Sequence, residues 1–430
     1  MSDLASSMPR RADVNAKSLA VAAIAIVVGT TYLARVADAR IAALFVVGAL
    51  LGVTLYHAAF GFTSAWRVFI ADGRGAGLRA QMVMLAIGTA LFFPALAAGT
   101  LFGKPVTGLV SPAGTSVVVG AFLFGIGMQL GGGCASGTLY TVGGGSTRML
   151  VTLAAFVAGS VIATAHMPFW TALPSLPPVS VVKSFGALPA LAGSWLLFAA
   201  IAVLTVVVEK RRHGRLVAPE LRANASARWL YGPWPLIGGA VALAVLNFAT
   251  LALSGRPWGV TSAFALWGAK LAAAAGIDVA SWPYWTAKAN AAALAAPVTR
   301  DVTSMMDIGI VIGAMFAASL AGRYAPVWRV PLRSLAAAVV GGLLLGYGAR
   351  LAYGCNIGAY FSGIVSGSLH GWLWLVAAFA GNVIGTRVRP WFGLEVERVP
   401  RASGCITRRA FRRARAPGAW RRALVRAPRM

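Results

Sequence analysis

Charged residues are scarce in this chain, and acidic residues are the scarcest of them. Only 11% of the 430 residues are Asp, Glu, Lys or Arg, whereas soluble domains carry ~25%. A soluble domain of this length would need a charged surface, and a lipid surround removes that need. Hydrophobic residues reach 58% and glycines number 50, and glycine is more frequent in transmembrane than in soluble helices. The composition predicts an all-α polytopic membrane protein in the lipid bilayer.

Cysteine is also rare, and the three present exclude a disulfide framework. Cys134, Cys355 and Cys405 form no CxxC metal pattern. The chain shows no phosphate-binding loop, no paired catalytic carboxylates and no nucleophile–base constellation. We therefore expect no enzyme activity, no metal site and no cofactor.

Ten stretches have the length and apolar character of membrane-spanning helices, which need ~17–25 residues. Asp307 and Arg350 fall near span ends, where water or the protein interior can receive them. The first stretch lacks a cleavage site, so we expect it to remain as a span. The ten lie near residues 18–34, 41–60, 80–101, 113–131, 149–168, 188–208, 235–254, 306–322, 334–352 and 371–388.

Basic residues between these stretches indicate the orientation. Loops rich in Lys and Arg near 67–79, 209–228 and 323–333 fall on one face in a ten-span count, together with both termini. Cytoplasmic loops carry such an excess, so we expect both termini in the cytoplasm and the protein in a bacterial inner membrane. Arg35 and Arg40 lie between the first two stretches, on the opposite face, and do not follow this rule.

Residues 398–430 contain eleven arginines and no acid. Such a run can bind nucleic acid. In a chain otherwise built for lipid, we expect instead a disordered cytoplasmic tail on anionic lipid and no nucleic-acid partner. Cys405 lies in this tail, and we assign it no role.

Four apolar pieces are too short to span a membrane, and each begins at a glycine or just after a cysteine. Non-helical backbone at membrane depth is tolerated only inside protein or beside a wet cavity. We therefore expect re-entrant half-helices in the interior. The pieces are residues 62–70, 135–142, 261–275 and 356–365.

The two halves of the chain resemble each other. Residues 120–140 (GAFLFGIGMQLGGGCASGTLY) and 341–361 (GGLLLGYGARLAYGCNIGAYF) align without gaps, and eight of 21 positions are identical, a cysteine among them. Upstream, residues 61–66 (GFTSAW) resemble residues 259–264 (GVTSAF). Because both pairs occur in the same order, we infer an internal duplication.

The span count makes this duplication an inverted repeat. Each half holds four spans, and the span 188–208 between them turns the second half over, as in many transporters. The Cys134 piece should then enter from the cytoplasm and the Cys355 piece from outside. The expected divisions are 1–40 (tail and extra span), 41–170 (first repeat), 171–234 (linker with the inverting span), 235–393 (second repeat) and 394–430 (basic tail).

The glycine-framed cysteines are the candidate site. Gly133 and Gly354 permit the turn before a half-helix, whose N-terminus attracts anions. A neutral thiol can offer an S–H contact to a polarisable sulfur atom, although a buried cysteine is often only a small hydrophobe. Asn356 could cap or line the second half-helix.

Two arginines could add positive potential to the vestibules. Arg350 would do so outside and Arg67 inside. An interfacial arginine and an orientation signal are the plainer interpretations of the two.

The segments GCASGTLY and GYGARLAYGCNIGAYFSGIVSGSLHGW resemble the YeeE/YedE family of bacterial sulfur transporters, and the resemblance covers about residues 41–393. It implies an hourglass-shaped inner-membrane protein that takes up thiosulfate along a short relay of cysteines. Two relay positions match Cys134 and Cys355. The family's cysteine in the first short loop corresponds here to Gly61, in AFGFTSAWRV.

Two functions follow from these features. The first is uptake of thiosulfate or a related sulfur anion through a central path lined by cysteines and half-helix N-termini. The alternative is a membrane component that passes persulfide sulfur to a soluble sulfurtransferase. A structural membrane subunit is the third and plainest interpretation.

Overall fold

The computed structural model describes residues 14–217 and 228–396, which form helices with four two-residue strands. The α-helices are α1 (Ala16–Val36), α2 (Ala39–His57), α3 (Phe62–Asp72), α4 (Ala76–Ala98), α5 (Thr115–Gly131), α6 (Ala135–Gly143), α7 (Thr147–Thr171), α8 (Val181–Phe185), α9 (Ala187–His213), α10 (Arg228–Tyr231), α11 (Leu236–Ser254), α12 (Thr261–Ala274), α13 (Pro283–Thr286), α14 (Lys288–Ala295), α15 (Val302–Leu320), α16 (Leu332–Leu351), α17 (Ser362–Val365) and α18 (Leu369–Val388).

The remaining elements are short. A π-helix (Asn356–Phe361) runs directly into α17. Strands β1 (Thr100–Leu101) and β2 (Lys104–Pro105) pair antiparallel, as do β3 (Ala113–Gly114) and β4 (Ser175–Leu176). The 3₁₀-helices are Val279–Ser281, Val298–Arg300 and Arg389–Phe392.

Ten helical segments in the described ranges are long and apolar enough to cross a membrane, and each contains one of the long helices α1, α2, α4, α5, α7, α9, α11, α15, α16 and α18. Their ends lie within five residues of those expected from the sequence, which confirms an all-helical, multi-pass membrane protein. The peripheral helices α1 and α9 expose apolar side chains such as Ile24, Val27, Leu196 and Leu204. Such a surface is stable against lipid and not against water.

Four shorter helical elements begin at the residues predicted for the short pieces. These are α3, α6, α12 and the π-helix with α17. Each lacks the length of a span, and the residues of the last are buried throughout. The fold therefore places short helices in its interior, beside the long ones.

Glycines bring the long helices into backbone contact. A side chain at Gly125 on α5 would collide with the backbone of Ala378 on α18. On the other side of the fold, a side chain at Gly346 on α16 would collide with the backbone of Phe156 on α7. Small residues permit such close approach where lipid supplies no hydrophobic force between helices.

The helix α9, which corresponds to the expected inverting span, is fastened to α4. The carboxylate of Glu209 accepts hydrogen bonds from the backbone of Gly75 at 3.1 Å and from Arg79 at 2.7 Å. Glu209 is fully buried, and the paired cation and amide satisfy its charge.

Parts of three predicted divisions lie outside the described residues. These parts are 1–13, 218–227 and 397–430. They contain Cys405 and most of the arginine-rich tail. The division of the chain into five parts stays a prediction.

Candidate functional site

Cys134 is the N-cap of α6, at a sharp turn after α5. The turn begins at Gly132, whose φ of +94° lies in the left-handed region that glycine adopts without strain. The Cys134 sulfur accepts the Gly137 N–H at 3.3 Å and lies 3.4 Å from the Ser136 hydroxyl. The thiol thus takes the capping role that Ser or Asp plays at many helix starts.

Cys355 occupies the matching place after α16. Gly354 precedes it with a φ of +153°, and a Cβ there would lie 2.6 Å from the Ala359 nitrogen. The Cys355 sulfur caps the π-helix by accepting the Ile357 N–H at 3.4 Å. Turns of π-helix are rare and are frequent at functional sites.

The two cysteines lie in one buried region. Cys134 is 2% exposed and Cys355 is fully buried. Helix α6 contacts the π-helix, and Cys134 and Asp307 lie near enough to Cys355 for the ionised forms of these groups to repel one another. The structure therefore brings together the predicted residues Cys134, Cys355 and Asn356.

Aromatic rings enclose the π-helix. Tyr360 stacks on Trp374 of α18, with ring centroids 6.1 Å apart and planes inclined by 12°. Phe62 and Trp66 on α3 form edge-to-face contacts with Tyr360, with ring centroids 6.1 and 5.9 Å apart. These ring contacts join α3 and α18 to the π-helix that Cys355 caps.

Several buried polar atoms lack a hydrogen-bond partner within the described residues. They include both side-chain atoms of Asn356, both carboxylate oxygens of Asp307, and the hydroxyls of Tyr360 and Thr63. Buried polar groups in folded proteins are almost always paired with protein, water or ligand. These atoms can therefore bind water or a polar ligand.

Gly61 stands at the start of α3, as expected, and borders a cavity of about 190 Å³. The cavity is also lined by Ser64, Arg74 and Gln81. A Cβ at Gly61 would collide with the Ser64 hydroxyl and lie 3.7 Å from the Tyr140 hydroxyl of α6. Gly61 therefore faces the helix that Cys134 caps.

The two predicted vestibule arginines are both engaged by other side chains. Arg67 is buried, and its Nη1 lies 3.5 Å from Oε1 of Gln129. Arg350 donates to the Tyr284 hydroxyl at 3.0 Å and lies 5.5 Å from the centre of that ring. A vestibule role for either arginine stays a prediction.

The sequence pattern of a known family matches most of the chain. The pattern, described as sulphur transport, covers residues 57–384. This range holds all four short interior helices and both capping cysteines.

The chain belongs to the sulphur transport (YeeE/YedE) family.

Curated relatives agree with this membership. The probable transporter YedE of Escherichia coli is 34% identical over 161 residues, which are 37% of this chain and 39% of YedE. The thiosulfate transporter TsuA of Spirochaeta thermophila is 28% identical over 78% of this chain and 95% of its own length. TsuA of Escherichia coli is 26% identical over 78% of this chain and 90% of its own length. The match to YedE thus spans about two fifths of that relative. The family's role is transport and not catalysis.

Sequence reasoning assigned no role to Asp307 or Gln129. Asp307 lies in the second turn of α15, near the helix start at Val302, and the protein interior receives its side chain, which is one of the two surroundings expected from the sequence. Gln129 is also fully buried and bonds Asn382 of α18 at 2.6 Å. Uncharged polar residues inside apolar spans were the available signal for this pair.

Proposed function

We propose that the protein takes up thiosulfate or a related sulfur anion across a bacterial inner membrane. The path runs past Cys134 and Cys355. The observation that carries this proposal is the pair of cysteine-capped short helices, buried at one place in a member of a sulphur transport family. The relatives named thiosulfate transporter, which this chain matches over most of their length, suggest the substrate class.

Exchange of packing partners supports the internal duplication in this proposal. In the proposed repeat, α2, α3, α4, α5 and α7 of the first half correspond to α11, α12, α15, α16 and α18 of the second. Helix α2 packs on α15, and in the same way α11 packs on α4. Helix α7 packs on α16 as α18 packs on α5, and α3 packs on α18 as α12 packs on α7. A duplication related by a two-fold axis produces such reciprocal pairs.

Glycines at the crossing of α5 and α16 support it residue by residue. A side chain at Gly127 would approach the backbone of Gly341, and one at Gly348 would collide with the backbone of Gly120. In the gapless alignment, Gly127 matches Gly348 and Gly120 matches Gly341. The two helices therefore use equivalent residues to contact each other.

The surroundings of the two short helices favour entry from opposite faces. The turn after α6, at Gly145, lies against Ala325 in the cation-rich segment 323–333. The turn after α17 lies against cation-poor segments, since Val181 donates to the Gly367 carbonyl at 2.8 Å. By the positive-inside rule, α6 is the cytoplasmic half-helix and the π-helix with α17 the outer one. Both termini are then cytoplasmic, and the path narrows like an hourglass between the half-helices.

A cysteine introduced at Gly61 tests this orientation. We expect a membrane-impermeant thiol reagent to modify Gly61→Cys in inside-out vesicles and to leave it unmodified in right-side-out vesicles. The reason is that its cavity is bordered by Arg74 and Val217, in loops assigned to the cytoplasm. The measurement is mass spectrometry of the labelled protein in a Cys405→Ala background. Labelling from the opposite side would overturn the orientation.

The capping geometry suits the thiols for contact with an anion. Each sulfur accepts a backbone N–H, so its S–H hydrogen remains able to donate to a passing sulfur or oxygen atom. The helix N-termini add a partial positive charge at the same points. A neutral thiol and a helix N-terminus thus attract the anion. Neither carries a full positive charge, so neither forms the tight ion pair that would keep the anion from moving on.

Burial of both cysteines counts against the persulfide alternative. A soluble sulfurtransferase would need to reach the sulfur it receives, and Cys134 and Cys355 are 2% and 0% exposed. A sulfurtransferase that collects sulfur after release remains compatible with uptake.

Uptake of ³⁵S-labelled thiosulfate tests the proposal. Cells that lack their own sulfur importers should accumulate label when they express this chain, and unlabelled thiosulfate should compete. Cells with the empty vector are the control. Protein present in the membrane without accumulation of label would refute uptake.

A further inference from the structure

Asp307 is a fully buried carboxyl group that the path described so far does not use. It lies in the second turn of α15, with no exposed surface. The preceding helix start is capped by Asp301, which accepts the Ser304 N–H at 2.8 Å. The cap determines where α15 begins and therefore places Asp307 in its second turn.

No described residue pairs with the Asp307 carboxyl. Neither oxygen has a hydrogen-bond partner among residues 14–217 and 228–396. An ionised carboxylate held away from water without a cation is strongly disfavoured, and such a group binds a proton instead. An intramembrane acid of this kind is a candidate for function by default, most often as part of an ion or proton path.

The packing of α15 places Asp307 beside the path. Helix α15 packs on α6, the helix that Cys134 caps, and a side chain at Gly143 of α6 would collide with the backbone of Val311, one turn after Asp307. A charge on Asp307 would also repel a charge on Cys355. Both atoms of the Asn356 amide, next to Cys355, have no hydrogen-bond partner among the described residues.

Other titratable groups on neighbouring elements do not neutralise it. The Lys270 ammonium on α12 is bound to the carbonyls of Leu294 and Ala296, and His57 on α2 packs against Trp234. The further groups on elements packed against α15 are Lys17, Tyr32 and Arg35 on α1, Arg40 and Tyr56 on α2, Tyr140 on α6, Tyr231 on α10 and Arg300 in the 3₁₀-helix before α15.

We propose that Asp307 is a proton-carrying residue that couples anion uptake to proton entry. Its carboxyl binds a proton from the outer side, remains neutral while the anion passes Cys355, and releases the proton toward the cytoplasm. The carboxylate then takes up the next proton. This inference rests on the proposed uptake of a sulfur anion.

Two physical reasons favour coupling at this position. A like charge beside Cys355 would repel an anion, so the anion and the protonated carboxyl stabilise each other, and this linkage is reciprocal. An inside-negative membrane potential opposes anion entry in proportion to the charge moved. Each proton that crosses with the anion reduces the net negative charge moved across the membrane by one.

Proteoliposomes allow anion and proton movement to be measured together. We expect wild-type protein to bring in protons with thiosulfate, reported by a pH dye trapped inside. An inward proton gradient of one pH unit should raise thiosulfate accumulation by about tenfold for each coupled proton. With Asp307→Asn, the ratio of protons to anions should fall to zero whatever the absolute rate. Asp307→Glu should keep a measurable ratio, and the exposed Asp278→Asn should match wild type.

The outcomes separate the two proposals. Thiosulfate uptake without proton entry in wild type, or unchanged proton entry in Asp307→Asn, would overturn the role of Asp307 and leave uptake standing. Absence of thiosulfate uptake in wild type under every gradient would refute the proposed function, and the coupling with it.

Infrared difference spectra give a readout that does not depend on transport. The carbonyl band of a protonated buried carboxyl should be present in wild type and absent in Asp307→Asn, and its absence from wild type would also overturn the proposal.

Discussion

Replacement of Cys355 by alanine is expected to lower thiosulfate uptake by about 10- to 100-fold. A hydrogen bond to a charged group contributes ~1.5–3 kcal/mol, which corresponds to that range in rate or affinity. Cys355 is fully buried and caps the π-helix, so its S–H contact with the anion would be lost at that point of the path. Cys134→Ala should have an effect of similar size. Initial rates of ³⁵S-thiosulfate uptake, normalised to protein in the membrane, give the measurement.

The controls separate chemistry from folding. Cys355→Ser keeps a capping oxygen and an O–H donor, so it should fold as wild type and retain part of the uptake. Cys405→Ala, at the third cysteine of the chain, should leave uptake unchanged. Normal uptake by the Cys134→Ala/Cys355→Ala double variant would show that the thiols have no role in transport.

Alanine at Gly125 or Gly346 is expected to destabilise the protein by ~1–3 kcal/mol, because overpacked contacts cost that much. In each case the new methyl group would collide with backbone, of Ala378 or of Phe156, which cannot move aside as a flexible side chain could. The same change at Gly193 on α9 meets no atom within 4 Å. Gly193→Ala should therefore stabilise the fold by ~0.4–1 kcal/mol through the lost freedom of the unfolded chain. Thermal unfolding of the detergent-purified variants reports the sign.

Comparison of the two destabilised variants tests the duplication. Gly125 and Gly346 are aligned residues with equivalent neighbours, so their costs should agree. A large cost at one and none at the other would show that the two helix crossings differ. Destabilisation by Gly193→Ala would mean that its side of α9 is covered by another molecule.

The long helices could be predicted because lipid imposes a simple rule on length and polarity. The starts of the short helices were predictable too, because the glycine-framed cysteines and the segments GFTSAW and GVTSAF mark them. In contrast, α13 and α14 lie in residues 283–295, where alanine-rich sequence gave no pattern strong enough to distinguish helix from loop. Local sequence signals thus predicted where the long and short helices begin better than they predicted the structure of the segments between them.

The interior of the site was less predictable. The depth of Asp307 depends on where α15 begins, and that is set by the Asp301 cap and not by the apolar run. The bond between Gln129 and Asn382 joins residues far apart in the chain. The duplication did point to Cys134 and Cys355 because a repeated cysteine is informative where a single one is not.

The position of a bound anion provides the most direct test of the proposed path. A cryo-electron microscopy structure of the protein in lipid nanodiscs, determined with and without thiosulfate, would show it. Added density is expected between the Cys134 and Cys355 sulfur atoms, within reach of both half-helix N-termini. Density at another place, with none between the two cysteines in a preparation that transports thiosulfate, would contradict it.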